Sequence, residues 1–460
     1  IGKNIVSVIM NCNGFRVIDL GVMVPAEDII DRAVNENASF IGLSGLITPS
    51  LEEMCHVARL MESRGLTIPL LIGGATTSEL HTAVKIAPCY SGPVVYTRDA
   101  AMLPGVAHNL SDTNTRSEFI AALRERQTKL RHEYNASSVP LLPIDEARIR
   151  RFQSDAIRVT IPLHTGITDL HIPVDEAATR INWRAFFDVW KLDARFAELA
   201  TITGCDHCQA QWLAATPQAE RAKASEAMQL LKEARRTIAR IASLIPEGIP
   251  ARVAILPAAA DSQDNILITS GINTITLPTL RQQTSSNDTC ISLADYIAPA
   301  DESGIMTDHI GVFAVTIGTV VQQLINQYKE SGDDYKALLY QSVADRLCEA
   351  ATSVMHSRVH TELWGNGCDR GIRPAIGYPS LPDQSLVFVI DQILDYHSLG
   401  IEPTEHGALN PTASTTGLIF PHPQARYFTV GRISHKQLAD YARRRGLSTE
   451  DLTKYLTPMD

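Results

Sequence analysis

Residues 69–78 read Pro69-Leu70-Leu71-Ile72-Gly73-Gly74-Ala75-Thr76-Thr77-Ser78, an apolar run that stops at two glycines and passes into hydroxyl-bearing side chains. A short run without polar alternation suits a strand buried on both faces, and the hydroxyls beyond it suit the start of a helix over 78–86. The same grammar stands upstream. Residues 40–46 form a second apolar run, the loop Ser44-Gly45-Leu46-Ile47-Thr48-Pro49-Ser50 follows, and a helical stretch over 50–64 ends before Gly65. Residues 16–20 and 94–97 read as two further strands, and 25–35 as a helix with proline at its start. Ile1, Ile5, Val8, Ile9 and Cys12 recur at helical spacing up to Asn13-Gly14, although their β-branched content also admits a strand.

Strands alternating with helices of these lengths give a doubly wound α/β sheet, whose ligands sit at the carboxyl ends of the strands. Two consecutive loops rich in glycine and hydroxyls at those ends point to a binding face. Their plainer role is helix capping, which Ser and Thr commonly perform. Neither loop is G-x-G-x-x-G or a P-loop, so a nucleotide phosphate is not specifically indicated.

The 460 residues leave room for two or three domains, and 45% hydrophobic with 20% charged residues excludes wholesale disorder, collagen and coiled coil. The longest uncharged apolar run, 310–325, contains Gly311, Thr316, Gly318, Thr319, Gln322 and Gln323 and falls short of the ~18 residues that span a bilayer. A net charge of -10, with no basic patch, argues against a nucleic-acid partner. Eight scattered cysteines are too dilute for a disulfide framework and suit a reducing cytosol. No signal peptide is present, and the chain opens at Ile1 as the inside of a domain would, which implies a preceding segment that has been cut away.

From 102 to about 154 the chain is mostly polar helix, including 116–134. Residues 135–143, with Ser137-Ser138 and two prolines, read as a linker. The expected organisation is a first domain over 1–134, a linker over 135–150 and a second domain over 151–460. The second mixes long helices (217–241 and 335–362) with separated strands (253–256 and 266–269), an α+β pattern without repeats.

Several constellations could carry chemistry. Cys205-Asp206-His207-Cys208 is a C-x-x-C, but Cys290, Cys348 and Cys368 are single and supply no second pair for zinc. His356 and His360 lack the glutamate of a zinc protease and fit a solvated or capped helix face better, while Glu349 shares their face and could point at a common site. The densest candidate is Arg370-Gly371-Ile372-Arg373-Pro374-Ala375-Ile376-Gly377-Tyr378-Pro379-Ser380-Leu381-Pro382-Asp383, whose prolines and glycines fix an irregular backbone. An arginine on such a loop suits a bidentate clamp on a carboxylate, with Tyr378 offering a ring and a hydroxyl; equally, the loop could be structural, with Arg373 paired to an internal Asp. Residues 414–420 and 422–428 read as a turn and strand carrying aromatics, which at strand spacing usually belong to a core.

The motifs Ile1-Gly2-Lys3-Asn4, Asp19-Leu20-Gly21-Val22-Met23-Val24-Pro25, Gly42-Leu43-Ser44-Gly45-Leu46-Ile47-Thr48-Pro49-Ser50 and Leu71-Ile72-Gly73-Gly74-Ala75-Thr76-Thr77-Ser78 closely resemble the cobalamin-binding domain of the cobalamin-dependent methionine synthase family. Residues 183–190, 293–297, the 373–382 loop and Tyr427-Phe428 resemble that family's reactivation domain, which binds S-adenosylmethionine. The resemblance implies a flavodoxin-like (Rossmann-type) cobalamin-binding domain, truncated at its N-terminus, followed by a larger α+β reactivation domain. It implies a methyltransferase of methionine biosynthesis that moves a methyl group from 5-methyltetrahydrofolate through methylcobalamin to homocysteine, and that remethylates cob(II)alamin with S-adenosylmethionine. The homocysteine module, with its zinc, and the folate module would be absent from this chain.

By the same resemblance Gly2 is the glycine of an Asp-x-His-x-x-Gly motif, so the cobalt-ligating His falls upstream of Ile1 and no metal ligand remains here. Ser50 would complete the relay behind that His, and Ser44, Thr48, Gly73, Gly74 and Ala100 would line the pocket of the nucleotide tail. A carboxylate and hydroxyl behind an imidazole fix its tautomer and basicity. Arg373 would bind the carboxylate of S-adenosylmethionine, with Ala375, Tyr378, Glu349, Tyr427 and Phe428 around it. Asn182 stands where the family usually has an Asp facing the substrate ammonium, which removes a charge that Asp188 could supply. No side chain is expected to be catalytic in itself, since the cofactor carries the chemistry. Implied partners are a flavodoxin-like electron donor and the upstream modules, in the cytoplasm. Two alternatives remain, a corrinoid carrier for another methyltransferase system and an ordinary S-adenosylmethionine methyltransferase.

Overall fold

The computed structural model describes residues 2–45, 49–136, 140–153, 161–202, 206–284, 288–365 and 371–456. Thr48, Cys205 and Arg370 lie outside them. The chain forms two compact units, one of Ile1–Glu146 with Gln283–Asp288 and Gly431–Asp460, the other of Ala147–Gln282 with Thr289–Val430.

The first unit runs α1 (Gly2–Cys12), α2 (Ala26–Asn35), β1 (Ile41–Gly45), α3 (Pro49–Ser63), β2 (Leu70–Gly74), β3 (Val94–Tyr96), α4 (Leu103–Ser111) and α5 (Arg116–Ala136). The three strands are parallel in the order β1-β2-β3. Successive side chains on a strand point to opposite faces, and both faces are covered. Leu70, Ile72 and Val94 pack with Ile30 of α2 and Met54, Ala58 and Met61 of α3. Leu71 and Val95 pack with Met10 of α1 and Leu103, Val106 and Leu110 of α4. That arrangement is a doubly wound sheet. The β-branched opening is helical, and Gly14, at φ +83°, lies just beyond its end where an L side chain would be strained.

Residues 16–20 are not a strand. No neighbouring strand pairs with them among the described residues, and the Val17 N–H donates instead to Asn11 Oδ1 at 3.2 Å. Extended apolar sequence becomes a strand only where a partner completes its ladder. The C-terminal stretch also departs from the reading that ran the second domain to 460. The helix Thr449–Tyr455 packs on α3, and Gln283 donates to the Leu142 carbonyl (2.7 Å) and accepts from the Ser434 N–H (2.7 Å).

The second unit is built on an antiparallel sheet of β4 (Gly166–Ile172), β5 (Ile249–Ala260), β6 (Asn265–Ser270), β7 (Asn273–Pro278), β8 (Asp308–Thr316) and β9 (Ser414–Ile419). Its order is β9-β8-β5-β6-β7, with β4 on the first half of the long β5. Helices α6 (Val174–Ala178), α7 (Trp183–Val189), α8 (Arg221–Leu244), α9 (Asp334–Arg358) and α10 (Leu386–Leu394) surround it. Alternation again decides the layers. Ala251, Val253, Ile255, Phe313 and Val315 pack with Leu230 and Leu231 of α8 and Val343, Leu347 and Met355 of α9. Ala254, Leu256, Ala258, Ile310, Val312 and Ala314 pack with Val387, Ile390 and Leu394 of α10.

The two histidines, one in α9 and one in the turn Val359–Leu363 that follows it, are not on a solvated face. His356 and His360 are buried at 5% and 0% exposure, ring against ring at 4.5 Å, with His360 stacked on Trp364. Glu349 is exposed and does not join them. Seven residues advance about 10 Å along a helix axis, so a shared face is not a shared site.

Candidate functional site

In the first unit the carboxyl ends of β1 and β2 meet residue by residue, Ser44 opposite Gly73 and Gly45 opposite Gly74. Gly74 has φ +114°, and a Cβ there would lie 2.1 Å from the Gly45 carbonyl oxygen. A Cβ on Gly45 would lie 2.9 Å from Thr76 Oγ1 and 3.2 Å from Ser50 Cβ. The two glycines therefore let the strand ends close into a bare backbone shelf.

Capping accounts for part of the hydroxyl content. Ser78 Oγ accepts from the His81 N–H (3.0 Å), Thr77 Oγ1 donates to the Gly74 carbonyl (2.9 Å), and Asp99 caps the turn that carries Ala100. Ser44 and Ser50 take no part in it. Thr76 Oγ1 is buried with no hydrogen-bond partner among the described residues. A shelf without side chains, edged by hydroxyls and a buried oxygen that have no partner among the described residues, fits a ligand carrying polar groups into the strand ends. Ser44, Gly73 and Gly74 stand there, Ser50 is in the first turn of α3 beside Gly45, Ala100 follows the end of β3, and Gly2 opens α1.

In the second unit the 371–383 loop is stapled to β9. Ile372 and Phe420 exchange backbone hydrogen bonds (3.1 and 2.9 Å), the Leu418 N–H donates to the Pro374 carbonyl (3.0 Å), and the Ile376 N–H donates to the Thr416 carbonyl (3.0 Å). Gly371 and Gly417 permit this. A Cβ on Gly371 would lie 2.1 Å from the Phe420 carbonyl oxygen, and one on Gly417 would lie 2.2 Å from that of Pro374. Ala375 sits opposite Gly417 in the same pairing.

The staple presents Arg373. Its backbone N–H donates to Tyr427 Oη (3.0 Å) and its Nη2 donates to Ser353 Oγ (2.7 Å). No carboxylate pairs with it among the described residues, so none of them supplies the internal Asp partner of the structural alternative. Glu349, one turn before Ser353, is held by Arg346 at 3.0 Å. Tyr378, 55% exposed, has its phenol pushed upward, first by partial burial and then by the Glu349 carboxylate, against the pull of Arg346 and Arg373. Arg180 reaches the same helix face, its Nη1 donating to the Ser353 carbonyl (3.1 Å) and to Ser357 Oγ (2.8 Å).

Arg373, Ala375, Tyr378, Glu349 and Tyr427 thus come together. Phe428 packs against the second core, and Tyr427 is 60% exposed rather than a core aromatic, because no strand runs through 422–428. Asn182 caps α7, its Oδ1 accepting from the Ala185 N–H (3.2 Å), and Asp188 lies exposed near the other end of that helix. Ser353, Arg346, Arg180 and Gly417 escaped the sequence reading. The i, i+4, i+8 series Glu349, Ser353, Ser357 was the available signal. Among the described residues no group of three or more His, Cys, Asp or Glu could hold a metal ion, and no helix is long and apolar enough to cross a membrane.

A family model described as vitamin B12 dependent methionine synthase, activation domain, matches residues 173–446. The chain belongs to that family. A model described as B12 binding domain matches residues 1–90, so the two descriptions follow one another along the chain in the order of the parallel and antiparallel sheets. Among solved structures, one described as the crystal structure of the MetH reactivation domain bound to AdoHcy is similar, with a TM-score of 0.59 and 28% identity over 70% of this chain and 98% of that one.

Proposed function

We propose that the shelf at the ends of β1 to β3 holds cobalamin through Ser44, Thr48, Ser50, Gly73, Gly74 and Ala100, and that the Arg373 loop binds S-adenosylmethionine. The chain comprises the cobalamin-binding and activation domains of a methionine synthase, a cobalamin-dependent methyltransferase. Bound cobalamin supplies the cobalt that carries the methyl group, and S-adenosylmethionine supplies the methyl used in reactivation. The protein's own part is to bind and orient. Residues 1–134 form the first of these domains on this reading, and most of 151–460 the second.

The observation that carries the second site is an arginine fixed at backbone and side chain with no carboxylate paired to it, beside Tyr378 and Glu349. Its free fork suits the α-carboxylate of an amino-acid ligand. Glu349, despite Arg346, offers a carboxylate near the same place for the ligand's ammonium, a role in which the neutral Asn182 is weaker. Electrons for reactivation would come from a flavodoxin-like donor, homocysteine and methyltetrahydrofolate would be handled by other modules of the enzyme, and the compartment would be the cytoplasm. The test is calorimetric titration with S-adenosylmethionine. Arg373→Ala should weaken binding by roughly tenfold or more, as loss of a charge-assisted pair does, and should slow methylation of bound cobalamin under reducing conditions; unchanged affinity would remove Arg373 from the site.

A further inference from the structure

Arg373 needs a partner that orients its guanidinium without discharging it. Ser353 is placed for that. Its Oγ accepts from Arg373 Nη2 at 2.7 Å and lies 3.3 Å from the Glu349 carbonyl, to which it donates. A hydroxyl has one hydrogen to give and two lone-pair positions to receive. Here the hydrogen goes to the helix backbone and a lone pair takes the guanidinium N–H. A carboxylate in that place would cancel the arginine's charge; a neutral oxygen fixes direction and leaves the charge for an incoming anion.

The surroundings hold Ser353 itself. It sits in the C-terminal third of α9, and its carbonyl accepts from Arg180 Nη1 (3.1 Å), which also donates to Ser357 Oγ (2.8 Å). The side chain that steers Arg373 is thus mounted on a long helix rather than on a loop, and the Arg373 backbone is tied separately to Tyr427. An arginine fastened at both ends enters binding with few rotamers left to lose, which lowers the cost of engaging the ligand.

We propose that Ser353 is the positioning residue for Arg373, setting the guanidinium so that its open edge receives the α-carboxylate of the amino-acid ligand. This rests on the reading of Arg373 as the carboxylate clamp. The experiment is titration of the full chain with S-adenosylmethionine and with its decarboxylated form. Ser353→Ala should bind S-adenosylmethionine roughly tenfold more weakly, the scale of a lost hydrogen bond to a charged group. It should bind the decarboxylated form as the unaltered chain does, and Ser353→Thr, which keeps the hydroxyl, should restore the affinity. A merely structural serine would weaken both ligands alike, and that result overturns the inference. Equal affinity of Ser353→Ala and the unaltered chain for S-adenosylmethionine, while Arg373→Ala has lost it, overturns the role of Ser353 and leaves the clamp standing. Undiminished binding by Arg373→Ala overturns both.

Discussion

The two units use their sheets in opposite ways. In the first, the strands are parallel, three to five residues long and covered on both faces, so the free polar backbone is at their carboxyl ends, and the candidate site is formed by the ends themselves. In the second, the sheet is antiparallel and also covered on both faces, so its ends meet hairpins and loops, and the site comes from an irregular segment fastened along the outermost strand β9. The first site is a consequence of topology. The second requires a dedicated loop with its own prolines, glycines and anchors.

The largest effect expected falls on how the second sheet is closed. Arg281, wholly buried, donates from Nη1 to Asp295 (2.8 Å) and from Nε to Asp264 (3.0 Å). Burial works against its charge, and the Asp295 and Asp264 carboxylates overcome that cost. Arg281→Met would leave the Asp295 carboxylate without its cation and Asp264 with Arg148 alone (2.9 Å), and should lower stability by roughly 3–5 kcal/mol, read as a drop in the denaturant midpoint. A sheet that tolerated the change would show that its hairpins do not depend on this buried ion cluster.

Next in size is a mirrored pair of substitutions. Gly74→Ala drives a Cβ into the Gly45 carbonyl at positive φ, a strain of about 2–5 kcal/mol. It should abolish retention of cobalamin, followed by visible absorbance after desalting, while affinity for S-adenosylmethionine persists. Gly417→Ala drives a Cβ into the Pro374 carbonyl and should do the reverse, displacing the Arg373 loop and leaving cobalamin bound. If either substitution removed both ligands, the two sites would not be separable in the way the two sheets suggest.

How much of this was legible in the sequence follows the same division. The parallel sheet could be read because each strand is a short, mostly apolar run ended by glycine or a polar residue, and β1, β2 and β3 lie where those runs are. The error at 16–20 shows the limit, since a single run carries no information about whether a partner strand is beside it. In the second unit the 370–383 loop stood out by its prolines, but Ser353 did not, because a serine in a helix has no local signature and gains its role only when a loop twenty residues on folds against it. Buried Arg281 was invisible for the same reason: its carboxylates come from two other segments of the chain.

The smallest effect concerns acid. His422 and His309 flank Asp308 in the second unit, and burial holds both imidazoles below their ordinary value of 6.5, against the pull of the Asp308 carboxylate. His422 Nδ1 accepts from the Gln424 N–H (3.1 Å), a bond only the neutral ring with hydrogen on Nε2 can receive. The unfolded chain therefore binds more protons than the folded one as pH falls through 6.5, and stability declines on that side. Asp308, whose carboxyl is raised by burial, has the opposite sign and offsets part of the loss at lower pH, where the unfolded carboxylate is still charged and the folded one takes up its proton. His422→Asn keeps an acceptor at the δ position and removes the titration. Its stability deficit, measured by denaturant unfolding at a series of pH values, should shrink steadily from pH 7.5 to 5.5. A deficit constant across that range would mean that His422 contributes packing alone and that the acid limb of this unit belongs to His309.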